Sequence, residues 1–146
     1  MKAVGYMDSK TIDQDDSLFD FEMEQPSPTG HDLLVRVRAI SVNPVDYKVR
    51  RRRASEDGQP IVLGWDAVGE VAAVGEKASL FKPGDSVWYA GAIDRPGANA
   101  ELHLVDERIV GRKPATASAA EAAALPLTSL TAYEMLFDRL RVTDPV

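Results

Sequence analysis

Residues 64–75 read Gly64-Trp65-Asp66-Ala67-Val68-Gly69-Glu70-Val71-Ala72-Ala73-Val74-Gly75. Val68 to Val74 has the composition of a strand, and the glycines inside it and beside it allow it to bend strongly and to approach another backbone closely. Short strands follow from the residues on either side. Leu33 to Ile40 alternates, with Leu33, Val35, Val37 and Ala39 on one face and Arg36 and Arg38 on the other. Ile61 to Leu63, Ser86 to Ala90 and Ala100 to Val105 are further strand candidates. Turn chemistry separates them: Pro26, Pro28 and Gly30, then Lys82-Pro83-Gly84-Asp85 and Asp94-Arg95-Pro96-Gly97. Short strands with regular punctuation predict a barrel or sandwich rather than a doubly wound sheet.

The period changes after Pro114. Ser118-Ala119-Ala120-Glu121 has the spacing of a capping box, and Ala119 to Leu125 predicts a short helix stopped by Pro126. A second helix is expected from about Ser129 to Leu140, with Leu130, Tyr133, Phe137 and Leu140 on one apolar face. Such a face connects to something else or folds back onto the barrel, and the pattern favours the connection.

Composition bounds the function. A chain of 146 residues with 45% hydrophobic residues suits one domain with a real core. No apolar run approaches the ~20 residues that span a bilayer, and the N-terminus has no signal-peptide core, so no membrane role and a cytoplasmic location are expected. A net charge of -6 disfavours nucleic acid as a partner. The chain has no cysteine, which excludes disulfides and thiolate metal sites. The early acidic residues, Asp13, Asp15, Asp16, Asp20, Glu22 and Glu24, read as a solvated loop and strand edge. The basic run Arg50-Arg51-Arg52-Arg53 is compatible with a localisation signal, a phosphate contact or a kinase site at Ser55. Acidic residues and Gly58 follow at once, so a solvated, mobile loop is the expectation.

Several segments, in this order and spacing, carry a resemblance. They are the opening MKAVGY, Ala39 to Lys48 (AISVNPVDYK), Gly64 to Gly75, Phe81 to Val87 (FKPGDSV), Gly97 to Glu101 (GANAE) and Ala122 to Tyr133 (AAALPLTSLTAY). Together they resemble the medium-chain dehydrogenase/reductase superfamily, in its zinc-independent quinone oxidoreductase branch. Leu63 to Asp66 and Trp88 to Gly91 are similar to zinc-type alcohol dehydrogenase-like proteins. The resemblance implies a mainly β, GroES-like, partly open barrel with C-terminal helices, which supplies the substrate side of an active site. Where zinc-dependent members carry a ligand Cys, a proton-relaying hydroxyl and a ligand His, this chain has Asn43, Val45 and Trp65. Zinc needs three or four Cys, His or carboxylate ligands. His31 and His103 are not placed to help, and Asp46 with Asp66 would suit only harder cations, weakly. No metal is therefore expected. Trp65 is expected to fill the former metal cavity as an apolar wall, and Asp66 to bond nearby backbone or an arginine.

Side-chain chemistry, together with the same resemblance, gives the candidate residues. Asn43 and Tyr47 are the catalytic candidates, as donors to a carbonyl oxygen. Asn43, Pro44 and Thr128 would meet the nicotinamide end of NADPH, and Trp65 and Asp46 would line the substrate pocket. Asn43-Pro44 also reads as a plain turn, and Tyr47 as a half-buried structural residue. The substrate implied is a small quinone or α,β-unsaturated carbonyl, and the implied parent enzyme is a homodimer. No G-x-G-x-x-G turn occurs between a strand and a helix, so a nucleotide-binding domain is expected to be missing. Residues 1–127 would be the catalytic domain and 128–146 a connecting helix toward a Rossmann domain. The rival is a non-enzymatic GroES-like binding or assembly module, or a stand-alone ligand-binding relic. The two helices after the barrel, with Thr128 between them, favour the enzyme.

Overall fold

The bent strand predicted at the glycines is the centre of the molecule. In the computed structural model, which describes residues 1–143, it runs from Asp66 to Val74. In chain order the elements are β1 (Lys2–Tyr6), β2 (Phe19–Glu22), β3 (Asp32–Ser41), α1 (Pro44–Arg52), β4 (Ile61–Val62), β5 (Asp66–Val74), β6 (Ser86–Ala90), β7 (Leu102–Asp106), β8 (Val110–Arg112), α2 (Ala119–Ala123) and α3 (Pro126–Tyr133). A 3₁₀ turn at Glu107–Ile109 precedes β8, and α3 runs on into a π-helical turn at Glu134–Arg139.

The strands form two antiparallel sheets, β2-β1-β4 and β7-β3-β5-β6-β8. Both are open, so the fold is mainly β without a closed barrel. Irregular backbone joins the sheets instead of a ladder. Gly97 and Asn99 donate to the carbonyls of Val62 and Leu63, Asn99 accepts from Val4, and Ala3 bridges Ala100. β3 and β5 bend past each other through two register shifts, at Leu34/Val35 and Val37/Ala39. A Cβ on Gly69 would lie 2.4 Å from the Arg36 carbonyl oxygen, which is the close backbone approach expected there.

The first half of β5, Asp66 to Gly69, is buried on both faces, and the packing explains why. Ala67 and Val71 face the main core with Leu33, Val35, Val87, Tyr89 and Val105. Val68 packs on the other side against Ala122 and Ala123 of α2. That helix begins at the expected capping box, with Glu121 N donating to Ser118 Oγ at 3.3 Å and Ser118 N to the Glu121 carboxylate at 2.9 Å.

Two expectations change. The arginine run is not a loop: Arg50 to Arg52 end α1, where cations complement the helix dipole, and Arg50 is only 8% exposed. The second C-terminal helix starts earlier than expected, because Pro126 occupies its first turn, where a missing amide hydrogen costs nothing. Its face of Leu130, Tyr133, Phe137 and Leu140 is exposed, each residue at 48–63%, so it does not fold back onto the sheets. Leu130 and Tyr133 border a shallow groove with Trp88 and Ile109. No helix among the described residues is long and apolar enough to cross a membrane.

Candidate functional site

Of the candidate residues, Asn43, Pro44, Asp46 and Thr128 lie near the starts of α1, β5 and α3. Asn43-Pro44-Val45-Asp46 starts α1 by rule: Asn43 is extended at the N-cap and Pro44, exposed, takes the first turn. The Asp46 carboxylate turns back and accepts from Asn43 N at 2.7 Å. Its other oxygen accepts from Gly64 N at 2.8 Å. Gly64 has φ +100°, and a Cβ there would lie 2.5 Å from Asn99 Oδ1, so glycine is required. Asp46 thus clips the start of α1 to the segment leading into β5.

Asp66 makes the second junction. It is fully buried, accepts from Asn43 Nδ2 at 2.8 Å through one oxygen and from Leu127 N at 2.8 Å through the other. Of the two partners expected, backbone or arginine, it has backbone, together with the Asn43 amide. Leu127 lies in the first turn of α3, where unpaired amides and the dipole favour an anion. Burial pushes the Asp66 pKa up, the Asn43 and Leu127 bonds oppose that, and the charge of Asp46 adds to it. One carboxylate therefore holds the Asn43 side chain and the turn that carries Thr128.

Thr128 is exposed, and its hydroxyl donates back to the carbonyls of Ala124 and Leu125 at 3.1 and 3.0 Å. Tyr47 lies one turn after Asn43 and is half exposed. With Asp46 and Arg50 it lines a cleft of about 160 Å³ that is walled by Ile12, Val42 and Leu63. Trp65 is elsewhere: it packs with Tyr6, Val49 and Leu63, and its Nε1 donates to the Ala92 carbonyl at 3.0 Å. It borders a separate groove with Phe21 and Pro60.

The histidines lie outside this cleft. His103 is buried, stacks on Tyr89, and bonds the Tyr89 hydroxyl through Nδ1 at 2.9 Å and the Pro96 carbonyl through Nε2 at 3.0 Å. A carbonyl only accepts, so Nε2 carries the hydrogen and Nδ1 accepts from tyrosine. Burial lowers the His103 pKa to about 4. His31 bonds the buried Glu107, whose carboxylate also accepts from Ser79 N and Leu80 N. Among the described residues no three His, Cys, Asp or Glu side chains are grouped to hold a metal ion. The oxygens of Asp46 and Asp66 all take N–H donors, and the Trp65 indole is itself a donor. This donor set does not fit zinc.

Open antiparallel sheets with a clefted helix start and two trailing helices define the class, a GroES-like domain of the dehydrogenase type. Residues 29–132 match the alcohol dehydrogenase GroES-like domain, and the chain belongs to that family. A zinc-type alcohol dehydrogenase-like protein of Staphylococcus epidermidis is 45% identical over 138 residues, which cover 94% of this chain and 40% of that protein. A 2-methylene-furan-3-one reductase of Solanum lycopersicum is 37% identical, covering 93% of this chain and 37% of that one. A solved Rhizobium etli structure, described as a zinc-dependent alcohol dehydrogenase, is 62% identical with a TM-score of 0.94, over all of this chain and 42% of its own. The chain spans about 40% of the length of the curated relatives it matches. A named reductase and dehydrogenase-like proteins are among these relatives.

The roles of two residues of this region escaped the sequence reading. Asp66, expected to bond nearby backbone, links Asn43 to Leu127, which lies 61 positions after Asp66, and no local spacing reveals that. Arg50 was hidden in a run of four arginines, although its place four residues after Asp46 put it on the same helix face.

Proposed function

We propose that this chain is the substrate-side domain of a nicotinamide-dependent oxidoreductase that reduces quinones or α,β-unsaturated carbonyls without zinc. Residues 1–127 form that domain, and the segment from 128 leads toward a nucleotide-binding domain. The observation that carries this reading is the Asp66 junction, which fixes the Asn43 amide and the Thr128 turn with one buried carboxylate. The tomato relative supports the substrate class, because its named substrate holds a methylene conjugated to a ketone.

Bound NADPH supplies the hydride. Asn43, Pro44 and Thr128 are the residues of this chain that face it. Hydride addition to the β-carbon of an enone shifts the electron pairs toward the carbonyl and leaves charge on an enolate oxygen. A positioned donor lowers that barrier. Asn43 has a second Nδ2 hydrogen beyond the one given to Asp66, and Tyr47 offers a phenol at the edge of the cleft. A proton from solvent water, added at the α-carbon, completes the reduction. The zinc-bearing names of relatives add no step here, since the donor set does not fit that ion.

Assay of the full-length gene product with NADPH or NADH against benzoquinone and benzalacetone tests the proposal. Reduction of either substrate, faster with NADPH, is expected. Failure with both acceptors and both cofactors sinks it.

A further inference from the structure

Arg50 is the least explained charge in the molecule. It is 8% exposed, yet no carboxylate of the described residues lies within ion-pair distance of it. A buried cation without a counter-ion is costly, and its donors are normally all engaged. Here one terminal nitrogen donates to the Ser17 carbonyl at 3.1 Å, and the guanidinium lies over the Tyr6 ring, 5.9 Å from its centroid. Nε is buried and makes no hydrogen bond. A second unpaired buried atom borders the same cleft, Asn99 Oδ1.

The charges around Arg50 are already committed. Asp46, on its own helix and in the same cleft, has both oxygens on backbone amides. In the loop before β2, Asp16 pairs with Lys10. Arg53 donates to the Ile93 carbonyl at the far end of α1. Apolar side chains, Ile12, Leu18, Ile40 and Leu63, supply most of the remaining wall. The cleft holds about 160 Å³, which limits its occupant to a small molecule.

We propose that the cleft beside α1 takes a small apolar ligand that bears a carboxylate, with Arg50 as the carboxylate's partner. A planar guanidinium fork matches a carboxylate with two parallel hydrogen bonds, and a neutral carbonyl cannot repay the burial of the charge in the same way. The proposal rests on reading this cleft as the substrate site, and it narrows the substrate to an unsaturated or keto acid. The carboxylate anchors the ligand, and the conjugated carbon chain lies along the apolar wall toward Tyr47.

Titration of the ¹⁵N-labelled chain with trans-cinnamate and with benzalacetone tests it. The two differ by a methyl group in place of a charged oxygen, so shape is held constant. Cinnamate is expected to shift the Arg50 Nε–H and the amides of Val42 and Gly64 saturably, and to bind about tenfold tighter or more than benzalacetone. Arg50→Gln is expected to abolish the preference, and Arg50→Lys to keep part of it, because the charge stays and the fork goes. Equal affinities, shifts outside the cleft, or no binding of cinnamate overturn the proposal. The wild-type comparison needs no variant, so an unstable Arg50→Gln does not shield it. Reduction of benzalacetone by the full-length product, without any preference for cinnamate here, would remove the carboxylate class and leave the oxidoreductase reading standing.

Discussion

Asn43 caps α1 and donates to Asp66, and substitution tests the further role proposed for it as donor to a substrate carbonyl. In the full-length enzyme Asn43→Ala is expected to lower kcat/KM roughly ten- to a hundredfold, the loss of one positioned polar contact. An unchanged kcat/KM would leave Asn43 as a turn residue. Asp66→Ala acts on structure more than chemistry, since it strands the Asn43 amide and the Leu127 N–H in a buried place. We expect a loss of about 2–4 kcal/mol in urea unfolding; a loss well under 1 kcal/mol would mean that both donors find other acceptors. The sequence reading treats Asn43-Pro44 as a turn and misses the Asn-Pro-x-Asp start of α1, although capping is local chemistry within four residues. The Asp66 partners were not open to reading, because they depend on where α3 lands after the whole sheet has formed.

At the scale of elements, the close crossing of β3 and β5 has a sharp requirement. Gly69→Ala puts a methyl 2.4 Å from both the Arg36 carbonyl oxygen and Val35 Cγ1. The backbone cannot yield cheaply there, and a destabilisation of about 3 kcal/mol or more is expected by calorimetry. The β6–β7 layer carries the pH dependence. His103 is neutral when folded, with a pKa near 4, whereas the unfolded chain protonates near the ordinary 6.5. Between those values the unfolded state binds more protons, so stability falls as pH drops from about 6.5 to 4. The cost at pH 4.5 is about 2–3 kcal/mol. His103→Gln should flatten urea midpoints across that window, and an unchanged slope would assign it to other groups. The strand pattern and the Ser118 capping box were legible because both have short periods. The helical end of the arginine run was not, because charge composition alone pointed to solvent while Val49 and Arg50 pack inward.

For the whole molecule, cofactor binding follows from the phosphate-binding elements. The pyrophosphate of a dinucleotide is held by a glycine-rich turn at a helix N-terminus, and these 146 residues contain no such turn. Contacts at the nicotinamide end alone do not offset the association entropy. Calorimetric titration of this chain with NADPH is expected to show no binding tighter than roughly millimolar; micromolar affinity would contradict the proposed division of labour. The sheets close less than the barrel suggested by regular strand spacing, because joining them falls to irregular backbone at residues 97–99, whose bonds carry no sequence period. The groove between Trp88 and α3 has an optical consequence. The chain has two tryptophans, and Trp65 is enclosed at 2% exposure while Trp88 borders the groove. Anything that settles on the Leu130–Tyr133 face should therefore blue-shift the emission of Trp88 and leave Trp65 as an internal reference, so occupancy of that face can be followed without a label.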